Sequence, residues 1–401
     1  VYLCILHRMR ISTCLIVSFT LVAIAACGKP PAPVLGPVEP LAVSTANNVI
    51  GPRLTTGPGG RLTLSWMERN KDAALLRFAS LSDEGFGAPK VVTIEGRMFV
   101  NWADLPSVMH VQDDHWIAHW LSYSADKTYS YVVVVSQSSD NGQSWSAPMA
   151  AHTDGTPTEH GFVSMYRDAD GVGLVWLDGR ATPDKPMTLR SAVISRDGER
   201  THEQEIDGSV CDCCQTDIAI SSRGPLAVYR DRTADEIRDI YVSRHDGARW
   251  QPGERLYPDN WNIPGCPVNG PSIVADGDEV AIAWFSAAGD KPIVRLVRSA
   301  DGGMTFTEPL VIAEGRLGGY VGLALLPDGH AAVSWVARND HGSNTLNVAV
   351  INENNQVLTA QAVADIAQLR VFPQLGYQDG NLVLAWTDDV EEERVLRAAR
   401  Y

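Results

Sequence analysis

Positive charge is scarce in this 401-residue chain. Lysine and arginine number 33 against 48 aspartates and glutamates, for a formal charge of −15. Such a surface excludes nucleic acid, whose phosphates need a basic face, and broad adhesion to anionic membranes. Long helix-forming stretches are also few. No P-loop, dinucleotide fingerprint, serine-hydrolase elbow or His-Glu-x-x-His motif appears, so no motif supports nucleotide, nicotinamide, serine-hydrolase or zinc-protease chemistry. Cysteine is sparse too, at seven residues.

The first 26 residues read as a targeting segment. His7, Arg8 and Arg10 form a basic start, Ile11 to Ala26 is apolar, and Ile24, Ala25 and Ala26 precede Cys27. The apolar run is short for a membrane span. Ending on small residues before a cysteine, it resembles a lipobox. That resemblance implies cleavage before Cys27, a lipid on its thiol, and a cell-envelope location in which the lipid is the one membrane contact. Removing residues 1–26 takes Arg8 and Arg10 and leaves a charge near −17. Residues 27–40, rich in proline and glycine, are expected to be a tether, and 41–401 the folded domain.

Beyond the tether the chain repeats itself. A short β-patterned run ends on an aromatic at Trp66, Trp120, Trp176, Tyr229, Trp284, Trp335 and Trp386, at intervals of 54, 56, 53, 55, 51 and 51 residues. Each unit has a strand, a Gly- or Asp-rich turn, the aromatic-ended strand, a polar loop and a third strand, and most have a weaker fourth. Four short strands per period of about fifty residues predict an all-β propeller of seven blades, with six as the alternative. The seventh unit lacks its fourth strand. Glu39 to Ser44 is otherwise unpaired and is expected to supply it, closing the ring.

Two turns carry a family resemblance. Ser138, Asp140, Gly142 and Trp145, and Ser299, Asp301, Gly303 and Phe306, both fit Ser-x-Asp-x-Gly-x-x-aromatic. Weaker forms occur at Ser243 to Trp250, with His245 in the Asp position, and at Asp83 to Phe86. The chain thereby resembles the Asp-box, or sialidase-like, propellers. That likeness implies an arginine triad, a Tyr/Glu pair and an aspartic acid in an active site. Tyr320 resembles the nucleophile, with Asp104 or Asp217 as the acid. The first arginine position of the family is occupied by Ile50, with Arg53 three residues on, and no Glu partner for Tyr320 is assigned.

Propeller ligands bind where inner strands begin around the axis. The repeat places Trp102, Asp104, His160, Gln215, Asp217, Asn269 and Tyr320 there, with Asp178, Arg180, Arg230 and Arg232 on loops after the aromatic strands. This mixture suits a polar or anionic ligand such as a glycan. Cys211, Cys213 and Cys214 precede the fourth inner strand and Cys266 the fifth, so they should be neighbours. An exported protein makes disulfides the expected outcome, with at least one bridge joining Cys266 to the cluster. A thiolate copper or zinc site helped by His160 is the alternative. The expectation is a monomeric binding propeller needing no cofactor. A sialidase-type glycoside hydrolase and a metal- or redox-linked propeller are the other readings.

Overall fold

Seven antiparallel sheets succeed one another along the chain; in the first six the earliest strand is innermost, and in the seventh the earliest strand is the outermost. The computed structural model describes residues 35–46, 48–391 and 393–401. The targeting segment, Cys27 and most of the tether lie outside them. The inner strands of blades 1 to 7 are Val49–Thr56, Ser107–Gln112, His160–Asp168, Asp217–Ser221, Ser272–Asp276, Leu317–Leu325 and Gln374–Gln378. Blade 7 is completed from the other end of the chain, as the sequence predicts. Glu39, Pro40 and Leu41 pair with Arg400, Ala399 and Ala398, and Arg400 Nε donates to Glu39 Oε2 at 2.9 Å. The edge of the last strand is thereby paired along residues 398–400.

The repeated aromatics are the packing units between blades. Trp66, Trp120, Trp176, Tyr229 and Trp284 are wholly buried, and Trp335 and Trp386 nearly so. Each such ring removes enough apolar area to be worth on the order of 5 kcal/mol before entropy is counted. Their polar atoms recur on carboxylates. The indole nitrogens of Trp66, Trp120, Trp176 and Trp284 donate to Glu68 (3.0 Å), Glu95 (2.5 Å), Asp178 (2.8 Å) and Asp259 (2.6 Å), and Tyr229 Oη donates to Asp207 at 2.6 Å. A buried donor left without a partner is costly, so the fold supplies an acid to each of these five.

The turns of the two full motifs are built by their aspartates. Asp140 Oδ1 accepts the N–H groups of Gln143 and Ser144 at 2.9 Å, and Asp301 Oδ1 those of Met304 and Thr305 at 2.9 Å. Gly142 has φ +72°, and a Cβ there would lie 2.5 Å from the Phe78 ring of blade 1. In the weaker turn His245 Nδ1 accepts the N–H of Gly247 at 3.2 Å, and its neighbour shares the role. Asp246 accepts from Ala248 and Arg249 at 2.9 Å, because its carboxylate can take two amides.

Candidate functional site

Every inner strand faces an axial cavity of about 660 Å³, lined in part by Arg53, Gln215, Asp217, Tyr320, Phe372 and Gln374. The strand pattern explains how Arg53 reaches it. The register of blade 1 shifts between Ile50 and Arg53, with Gly51 at φ +66° in the bulge. Ile50 turns toward the apolar packing around Met67, and Arg53 enters the cavity. From blade 1 it reaches to blade 4, where Nη2 lies 3.4 Å from Asp217 Oδ1. Asp217 is also bound on the far side, with Oδ2 accepting Ile273 N–H at 2.9 Å and Ser272 Oγ at 3.1 Å. Burial raises its pKa, against the lowering effect of Arg53 and these hydrogen bonds.

Bulges recur in blades 3 and 6, where Phe162 and Tyr320 occupy the same position, each with φ +54°. The N–H of Phe162 donates to Asp104 Oδ1 at 2.7 Å, and that of Tyr320 to Asn269 Oδ1 at 2.7 Å. Asp104 and Asn269 are therefore each bound to the bulge of the following blade. Asp104 is enclosed behind Gly161, and burial pushes its pKa up to about 8. Gln215 links blade 4 to two others, donating to Ala103 O at 2.7 Å and accepting from Gly270 N–H at 3.3 Å. The signal in the sequence was positional: Asp104 and Asn269 each stand three residues ahead of an inner strand.

Tyr320 sits among rings. Phe372 is 4.8 Å away and Trp102 6.4 Å, both edge-on, and Arg370 lies 5.7 Å above Trp102. Burial is the main cause of its raised phenol pKa. No hydrogen bond or ion pair joins Tyr320 to a carboxylate among the described residues. Sequence reasoning missed Phe372 and Arg370, which belong to the long blade 6–7 connection and follow no repeat.

The remaining expected residues gather elsewhere. His160 Nδ1 faces two carbonyl oxygens, Thr158 at 3.1 Å and Tyr131 at 3.2 Å, and Nε2 lies 3.3 Å from Asp154. His152 stacks flat on it at 4.0 Å and brings its own Nδ1 to 2.5 Å from Asp154 Oδ2, so both imidazoles meet one carboxylate oxygen. Asp178 accepts from Trp176 and holds Arg180 through Nε and Nη2, both at 2.8 Å. Arg180 also meets Glu203 at 2.9 Å. Arg232 pairs with Glu236 at 2.6 Å. Arg230, 2% exposed, donates to the carbonyls of Asn269, Arg238 and Phe285 and lies 4.8 Å over Trp261. It has no ion-pair partner among the described residues.

The cysteines do meet, and Cys213 is bonded to Cys266 with their Cα atoms 5.9 Å apart. One bridge thus joins Cys266 to the cluster. The expectation of disulfides for Cys211 and Cys214 is corrected: both are free and buried. Their sulfurs are 3.2 Å apart, Cys211 Sγ is 3.9 Å from Cys213 Sγ, and Arg238 Nη1 lies 3.3 Å from Cys211 Sγ. The Cys214 hydrogen bond, aided by the charges of Arg230 and Arg238, lowers the Cys211 thiol to about 6. Burial drives Cys214 the other way.

The fold is shared with solved propellers. A protein of unknown function from Dyadobacter fermentans is 13% identical over 91% of this chain and 97% of its own, with a TM-score of 0.50. An α-L-arabinofuranosidase from Fusarium graminearum is 11% identical over 92% and 96%, at 0.48. The NanB sialidase of Streptococcus pneumoniae is 12% identical over 92% and 71%, at 0.45. No protein-family model and no curated protein matches the sequence. At these identities the likeness concerns the fold alone and carries no activity to this chain.

Proposed function

We propose that this is a glycan-binding propeller, carried as a monomer on the cell envelope by a lipid at Cys27, and that it does not hydrolyse what it binds. The observation that supports this most is the mouth of the axial cavity. Tyr320 and Phe372, backed by Trp102, offer aromatic surface to a sugar's apolar face. Arg53, Asp217, Gln215 and Gln374 offer donors and acceptors to its hydroxyls.

Hydrolysis of the sialidase kind needs several arginines on one carboxylate and an activated tyrosine. Arg230 is turned to backbone carbonyls, Arg180 and Arg232 are held by acids, and Arg53 is on Asp217. Tyr320 packs its ring against Phe372 and Trp102, and the charge acting most on its phenol is Arg370, with no hydrogen bond to a carboxylate among the described residues. The test is a screen of the labelled chain against an array of neutral and acidic glycans. Selective retention that weakens in Trp102→Ala supports the reading, and retention of nothing on the array opposes it.

A further inference from the structure

We propose that the four cysteines at the blade 4–5 rim form a two-electron relay, in which the buried Cys211/Cys214 dithiol reduces a disulfide of another molecule by way of Cys213 and Cys266. The geometry carries the proposal. Cys211 and Cys214 are 0% and 2% exposed, so an outside disulfide cannot reach them, whereas Cys266 is exposed. Cys213 links the two sets, bonded to Cys266 and 3.9 Å from Cys211 Sγ. Arg238 stands against Cys211 Sγ, and Arg230 has no acidic partner among the described residues, so this corner favours an anion on Cys211.

The exchange balances at each step. The Cys211 thiolate attacks Cys213 Sγ; the Cys211–Cys213 bond forms, the Cys213–Cys266 bond breaks, and Cys266 leaves as a thiolate. Cys214, 3.2 Å from Cys211, then loses its proton and attacks Cys211 Sγ. The Cys211–Cys214 bond forms and Cys213 leaves as the second thiolate. One bridge and two free thiols remain, now with the free pair toward the surface. That pair attacks a partner disulfide: Cys266 forms the mixed disulfide and expels one partner thiolate. Cys213 then restores the Cys213–Cys266 bond and expels the other. The chain has been oxidised by two electrons and the partner disulfide reduced by two.

The test uses the folded chain and an aromatic disulfide, 5,5′-dithiobis(2-nitrobenzoate), whose released thiolate is coloured. The wild type should release one equivalent per free thiol, two in all, without denaturant, and end with both bridges by peptide mapping. The Cys213→Ser/Cys266→Ser double variant keeps the buried dithiol but loses the route out. It should stay silent until denatured and then release the same amount, with an unchanged folded circular dichroism spectrum showing that it folds. Equal reaction of the double variant in the native state would overturn the relay. So would a wild type inert until unfolded, or one that reacts only after a chelator removes a stoichiometric metal ion.

Discussion

Arg53 Nη2 lies 3.4 Å from Asp217 Oδ1, across the axial cavity from blade 1 to blade 4. The pair places a donor and an acceptor side by side in a half-enclosed space, an arrangement that reads the hydroxyls of a sugar better than it reads a bare anion. Both side chains remain about one-fifth exposed, so water or ligand can reach them. Arg53→Met should therefore weaken glycan retention on the array by about tenfold, the equivalent of one lost charged hydrogen bond. Its denaturation midpoint should be close to that of the wild type, since the ion pair is partly solvated.

Arg230 is predicted to behave in the opposite way. Its guanidinium ties together carbonyls of three segments and has no ion-pair partner among the described residues. Arg230→Met should lower stability by about 3 kcal/mol or more in urea unfolding, because buried carbonyls lose their donors. A variant of unchanged stability that only loses ligand would show Arg230 to be a binding residue.

Asp104 makes stability depend on pH. Its pKa is raised from 3.8 to about 8 in the folded state, so between those values the native chain holds a proton that the unfolded chain has released. Its contribution is full below 3.8 and is lost as pH climbs toward 8, at up to about 1.4 kcal/mol per pH unit. Asp104→Asn keeps an oxygen for Phe162 N–H and removes the titration. Urea midpoints across this range should fall less steeply with pH in the variant than in the wild type.

Gly142→Ala should destabilise by about 1–3 kcal/mol. The residue has φ +72°, and the added carbon would meet Phe78 at 2.5 Å. Thermal unfolding checks it, with Gly59→Ala as a comparison. Gly59 has a similar φ of +67° but open space around it, so the difference between the two variants reports the blade 1–2 contact.

Much of the fold was legible because a propeller repeats. The period from Trp66 to Trp386 set the number of blades, and the missing seventh outer strand identified Glu39 as the closure. The site was less legible because the same repeat places polar residues at equivalent positions for structural reasons. Asp104 and Asn269 stood where ligand residues are expected, and they bind the bulges at Phe162 and Tyr320. That Phe162 fills the position of Tyr320 without a hydroxyl shows how a residue can match a nucleophile segment through backbone geometry alone. Arg370 and Phe372 carried no periodic signal. The free state of Cys211 and Cys214 depends on which sulfurs the two loops bring together, which spacing does not determine.

Calorimetric titration of the chain with oligosaccharides retained on the array, sialyllactose included, followed by recovery of the sugar, tests the central claim most directly. Saturable heat with the glycan recovered intact, and lost in Trp102→Ala, is the result predicted. Cleavage of the glycan that disappears in Tyr320→Phe would contradict it and make the protein a hydrolase, and absence of heat across the panel would contradict glycan binding itself.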